Sequence, residues 1–144
     1  MDIRQQMETI NACICRQTEL YGEWAKRHGM SYNTVMILYA LDRERARTQK
    51  EIAEGWMIPK QTVHTVVKDL ERQGYVTFEA GRDQKEKNIC FTPAGKALVE
   101  QHMRELYDIE ERAMTAMGPD LCQALVAGNL AFTEAFAQGV RYGS

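Results

Sequence analysis

The chain lacks any long apolar run: no stretch approaches the roughly 18 uninterrupted apolar residues that a membrane-crossing helix needs. Its opening residues, Met1, Asp2, Ile3 and Arg4, do not follow the charged-then-apolar layout of a secretion signal. The two absences together give the expectation of a cytoplasmic protein. The four cysteines, Cys13, Cys15, Cys90 and Cys122, form no CxxC pair and have no histidine at ligand spacing. That pattern gives neither a zinc site nor a disulfide framework, and reduced thiols are expected. Glycine-rich phosphate loops, a nucleophile elbow and clusters of histidine or carboxylate at metal spacing are also missing, so no enzyme, cofactor or metal is expected.

What is present is an ordinary folding composition. The 144 residues are 44% hydrophobic and 26% charged, which is enough apolar material for one core and too much for disorder. The net charge of −2 hides a division along the chain: residues 1–42 carry −1, residues 43–87 carry +2 and residues 88–144 carry −3. If the protein binds a polyanion, the middle binds it.

Apolar spacing places the elements. Ile3, Met7, Ile10, Ile14, Tyr21 and Trp24 recur at intervals of three, four or seven and make one stripe on a long first helix, which His28 and Gly29 end. Ser31 is an N-cap for a second helix carrying Val35, Met36, Leu38, Tyr39 and Leu41. Thr48, with Glu51 three residues on, reads as a capping box for a short third helix with Ile52 and Ala53. After a break at Gly55 to Ile58, the residues Val63, Val66, Val67 and Leu70 give a fourth helix its buried side, and Gly74 closes it.

Tyr75 to Phe78 and Asn88 to Phe91 are short strand-like runs around a charged tip, predicting a hairpin. Thr92 and Pro93 open a fifth helix that Gly118 and Pro119 end. A sixth, from about Asp120, carries Leu121, Leu125, Phe132 and Phe136 on one face, more apolar surface than so small a chain can cover by itself. No repeat, low-complexity tract or long linker divides the order. The expected fold class is mainly α with a small two-stranded β wing.

Helix, turn, helix and hairpin in this order predict a winged helix-turn-helix, whose second helix enters the major groove while the wing reaches the neighbouring backbone. The buried valines and Leu70 leave Lys60, Gln61, Thr62, His64, Thr65 and Lys68 on the other faces of the fourth helix. Glutamine pairs with adenine edges, threonine and histidine meet base edges or phosphates, and lysine neutralises backbone charge. Lys50, Arg82, Lys85 and Lys87 complete the expected set of DNA contacts.

Four segments, Thr48-Gln-Lys-Glu-Ile-Ala-Glu54, Thr62-Val63, Asp69-Leu-Glu-Arg-Gln-Gly-Tyr-Val76 and Phe91-Thr-Pro-Ala-Gly-Lys-Ala-Leu98, resemble in content and order those of the multiple-antibiotic-resistance regulator (MarR) family. Two positions depart from its pattern. Met57 stands where many helix-turn-helix motifs place glycine at the turn, and the wing has Asp83-Gln84-Lys85, preceded by Arg82, where the family often has Asp-x-Arg. The resemblance implies a single domain, 1–144, in which 31–92 is the winged helix-turn-helix and 1–28 with 93–144 are dimerisation helices. It implies a bacterial homodimer on double-stranded DNA, usually repressing from a pseudo-palindromic operator with half-sites roughly 34 Å apart.

The same resemblance implies a small aromatic or phenolic effector near Tyr21, Trp24, His28, Tyr32, Met36 and Tyr39, which are equally well read as ordinary core. Two alternatives stand beside it. One is thiol-based redox sensing within the family, although aligning Tyr21 and Tyr32 with the tyrosines of that branch puts its cysteine at Met7, with Cys13 and Cys15 one to two turns later. The other is a winged helix used for protein contact, which would not need Lys60, Lys68 and Lys85 on one surface.

Overall fold

A full capping box starts the first helix: the Gln5 N–H donates to Asp2 Oδ1 at 2.8 Å and the Asp2 N–H donates to Gln5 Oε1 at 3.0 Å. The computed structural model describes residues 1–44, 46–81 and 86–143, with six helices and one two-stranded antiparallel sheet among them. In chain order these are α1 (Ile3–Arg27), α2 (Tyr32–Asp42), α3 (Gln49–Trp56), α4 (Lys60–Arg72), β1 (Val76–Ala80), β2 (Lys87–Phe91), α5 (Pro93–Met117) and α6 (Pro119–Tyr142). The expected winged-helix class, mainly α with a small β wing, is what the chain adopts. Two compact units divide the chain, Met1–Arg104 and Glu105–Ser144.

In the first unit α2 is the central element. Val35, Met36, Ile37, Leu38, Ala40 and Leu41 are all buried, so it is apolar nearly all round, as a helix enclosed by others must be. Ile52 of α3, Val63, Val67 and Leu70 of α4, Val76 of β1, Ile89 of β2 and Met103 of α5 complete this core. The rings of Tyr39 and Trp56 meet at 5.7 Å, joining α2 to the end of α3. On α1, only Trp24 and Ala25 are buried. The expected apolar stripe exists, but Ile3, Ile10 and Ile14 along it are 79%, 48% and 50% exposed.

The strands run further toward the tip than their apolar residues indicate. The register Val76↔Phe91 through Ala80↔Lys87 takes in Glu79 and Lys87, whose place in the ladder comes from backbone pairing that hydrophobicity does not report. Thr92 anchors the base of the wing: its hydroxyl donates to the Gly74 carbonyl at 2.6 Å and accepts from the Gly95 N–H at 3.0 Å. Gly95 is required there, since a Cβ at this position would collide with the Tyr75 carbonyl oxygen. The Ile89 N–H donates to the Arg47 carbonyl at 2.8 Å, tying β2 to the segment before α3.

In the second unit, Gly118 at φ +87° turns the chain from α5 into α6. The Cys122 thiol donates to the Met114 carbonyl at 3.1 Å across that turn. No residue of α6 is buried: Leu121, Leu125, Phe132 and Phe136 are 60%, 48%, 45% and 61% exposed, and the two phenylalanine rings stack on each other at 5.4 Å. No helix among the described residues is long and apolar enough to cross a membrane.

Candidate nucleic-acid interface

The exposed face of α4 is set by what α3 and α4 bury. Thr48, only 7% exposed, caps α3 by accepting the Glu51 N–H at 3.1 Å. Its hydroxyl donates to Glu51 Oε1 at 3.1 Å, so the glutamate returns to the threonine hydroxyl and not to its backbone N–H, which is half of the expected capping box. Ile52, Ile58, Val63 and Val67 point inward, and the turn between the helices closes through Met57 at φ 53°, ψ 43°. Methionine thus occupies the left-handed conformation usually given to glycine, with its side chain 88% exposed.

With the apolar faces committed, Lys60, Gln61, His64, Thr65 and Lys68 stand exposed on α4, while Thr62 is half-buried. Pro59 caps α4 without a side-chain hydrogen bond, which leaves the first backbone N–H groups of α4 without a side-chain acceptor and favours an anion there. The Thr65 hydroxyl donates to the Gln61 carbonyl at 2.9 Å.

Between α3, α4 and the wing lies a groove of about 720 Å³ lined by Gln49, Lys50, His64, Lys68, Thr77, Phe78 and Lys87, with Glu71 and Glu86 also on its wall. Lys68 bonds Glu71 at 3.3 Å and its Nζ stands 5.2 Å from the Phe78 ring centroid. Four of the expected contacts, Lys50, His64, Lys68 and Lys87, therefore share one groove. Arg82 and Lys85 lie outside the described residues. Gln49 was not among the expected contacts: its Oε1 is 3.2 Å from His64 Nδ1, a pairing across 15 residues with no local signal in the sequence.

The residues expected around an effector are dispersed. His28 lines a cavity of about 330 Å³ with Ser31, Thr34, Leu38, Asp69, Gln73 and His102, among others. Trp24 stacks on His28 at 4.1 Å, and the Nδ1 atoms of His28 and His102 are 3.1 Å apart. Met36 is in the core, Tyr39 faces Trp56, and Tyr21 and Tyr32 are half-buried. Val66, Asp69 and Leu70 of the same cavity belong to α4 and Gln73 is its C-cap, so the far wall of the cavity is the back of that helix. Cys13 and Cys15 are exposed on α1. Burial and, next, the Glu79 carboxylate push the Cys90 thiol up.

An exposed polar helix held over a short capped helix, beside a cationic groove and a hairpin, defines a winged helix-turn-helix. A model of the MarR family matches residues 28–86. Over its whole length the chain is similar to a MarR family regulator from Neisseria meningitidis, at 27% identity and a TM-score of 0.78, covering 100% of both chains. S. aureus MepR, solved in complex with DNA, is similar in fold at 18% identity and a TM-score of 0.63, over 96% of this chain and 99% of that one. The phenylalanine–tRNA ligase alpha subunit of Metallosphaera sedula is 33% identical over 76 residues, which are 53% of this chain and 16% of the ligase. The chain spans about a sixth of that protein's length. Residues 28–86 are thus similar to the MarR family, and the whole chain shares the winged-helix fold of solved MarR family regulators.

Proposed function

We propose that the protein is a cytoplasmic, sequence-specific DNA-binding repressor that acts as a homodimer and is released by a small ligand. The observation that carries this reading is the exposed row Lys60, Gln61, His64, Thr65 and Lys68 on a helix whose opposite side is locked into the core. In a major groove, Gln61 and His64 meet base edges, while Lys50, Lys60 and Lys87 neutralise phosphates. Arg82 and Lys85, at the wing tip in sequence, extend the backbone contacts.

Two apolar surfaces support the dimer. α1 leaves Ile3, Ile10 and Ile14 exposed, and α6 has no buried residue at all. Most of these side chains are about half exposed, so closing each against a second copy is worth roughly half of the 1.5–3 kcal/mol of full burial, and several together favour a dimer. Residues 31–92 then serve as the reading region, and residues 1–28 with 93–144 as the dimerisation helices. Two-fold symmetry makes the operator pseudo-palindromic, its half-sites one helical turn apart. The cavity beside His28 and His102, backed by α4, is where a small aromatic or phenolic ligand would alter the reading helix.

The test is selection of duplexes from a random-sequence pool by the purified protein, with its mass in solution measured by sedimentation. A dimer that enriches a two-fold related sequence is the expected result. A monomer, or a pool that stays random, would overturn the proposal.

A further inference from the structure

The contact between His64 and Gln49 joins the helix that reads bases to the one beneath it, and it constrains more than position. Gln49 is the first residue of α3, held directly behind the Thr48 cap, so its side chain starts from a fixed backbone. Its amide oxygen faces the ring, with Oε1 3.2 Å from His64 Nδ1. An amide oxygen only accepts, so in the neutral imidazole the single ring proton sits on Nδ1. Nε2, on the far side of the ring, is then a bare acceptor directed away from α3.

In the major groove an acceptor is met by the exocyclic amino groups, N4 of cytosine and N6 of adenine, whereas the groove edge of guanine presents only acceptors and thymine offers O4 and a methyl group. We propose that Gln49 is a positioning residue that fixes the tautomer of His64, and that His64 thereby selects an amino-bearing base, cytosine or adenine, against guanine and thymine. This rests on the reading of α4 as the base-contacting helix.

The test uses the full chain at a fixed pH of about 8, above the range in which free imidazole titrates. The base pair that His64 reads is identified as the operator position at which His64→Ala removes the preference. Four operators differing only there are then titrated by fluorescence anisotropy against wild type, Gln49→Met, His64→Ala and the double variant. Wild type should prefer cytosine or adenine by about tenfold, the scale of a single base contact. Gln49→Met keeps the length and loses the acceptor, so the preference among the four operators should shrink to about twofold. The double variant should match His64→Ala, because Gln49 acts only through the ring.

Preference for guanine or thymine, full preference in Gln49→Met, or no position sensitive to His64→Ala would each overturn the inference and leave α4 as a DNA reader. A wild-type protein that binds no duplex would remove that reading, and this inference with it.

Discussion

Substituting Met57 by glycine should stabilise the protein, although glycine inside a helix does the opposite. Met57 sits at φ 53°, ψ 43°, where a side chain costs about 1–2 kcal/mol that glycine does not incur. Against this, glycine adds unfolded-state entropy worth about 0.4–1 kcal/mol. The side chain is 88% exposed, so the burial lost is small, about 0.2–0.3 kcal/mol. The net gain is about 0.5 kcal/mol, or about 1–2 °C in thermal midpoint for a chain of this size. Met57→Ala keeps the strained backbone and should fall slightly below wild type, and Met57→Val, branched at Cβ, should fall lowest. Thermal melts followed by circular dichroism at one fixed concentration give the ordering Gly, Met, Ala, Val. If Met57→Ala proved as stable as Met57→Gly, the left-handed turn would not be the source of the effect.

Gly95→Ala should lose at least about 2 kcal/mol in urea unfolding, because the new methyl meets the Tyr75 backbone carbonyl, which cannot swing aside as a side-chain end could. Thr48→Ala, which removes the cap of α3, should cost about 1 kcal/mol in the same assay, and Thr48→Ser should restore most of it. The Cys90 thiol, pushed up chiefly by burial, should alkylate more slowly in the folded than in the unfolded protein, with its rate–pH profile displaced to higher pH. The sign follows from native Cys90 holding its proton more tightly: the associated stability is present below the unfolded thiol's range and is lost as pH rises through the folded one. Peptide mapping after iodoacetamide treatment reads it, and equal rates in both states would contradict it. Gln61→Ala should relax base preference, whereas Lys50→Ala or Lys87→Ala should weaken binding to operator and random duplex alike; anisotropy titrations on both separate the two behaviours.

Much of the architecture can be read from the residues because its signals are local. Ser31, Thr48 and Thr92 mark helix starts by their own side chains, and the spacing of Val63, Val67 and Leu70 orients α4 without reference to anything distant. The departure at Met57 was visible as a missing glycine, and the chain resolves it by accepting the strained conformation. What was hidden depends on contacts between residues far apart in sequence. Gln49 meets His64, His28 meets His102, and Ile89 bonds back to Arg47; no periodicity anticipates any of them. The stripe on α1 illustrates a further ambiguity, since helical spacing reports that a face is apolar but not whether this chain or another covers it.

The most direct measurement of the central claim is the salt dependence of duplex binding by the purified protein. With Lys50, Lys60 and Lys87 on phosphates from two subunits, about six neutralised charges give a slope of about −5 for log K against log salt concentration. Affinity should then fall about a thousandfold between 50 and 200 mM salt. Binding that ignores salt over this range, or no binding to duplex at 50 mM, would mean that the exposed face of α4 does not meet DNA.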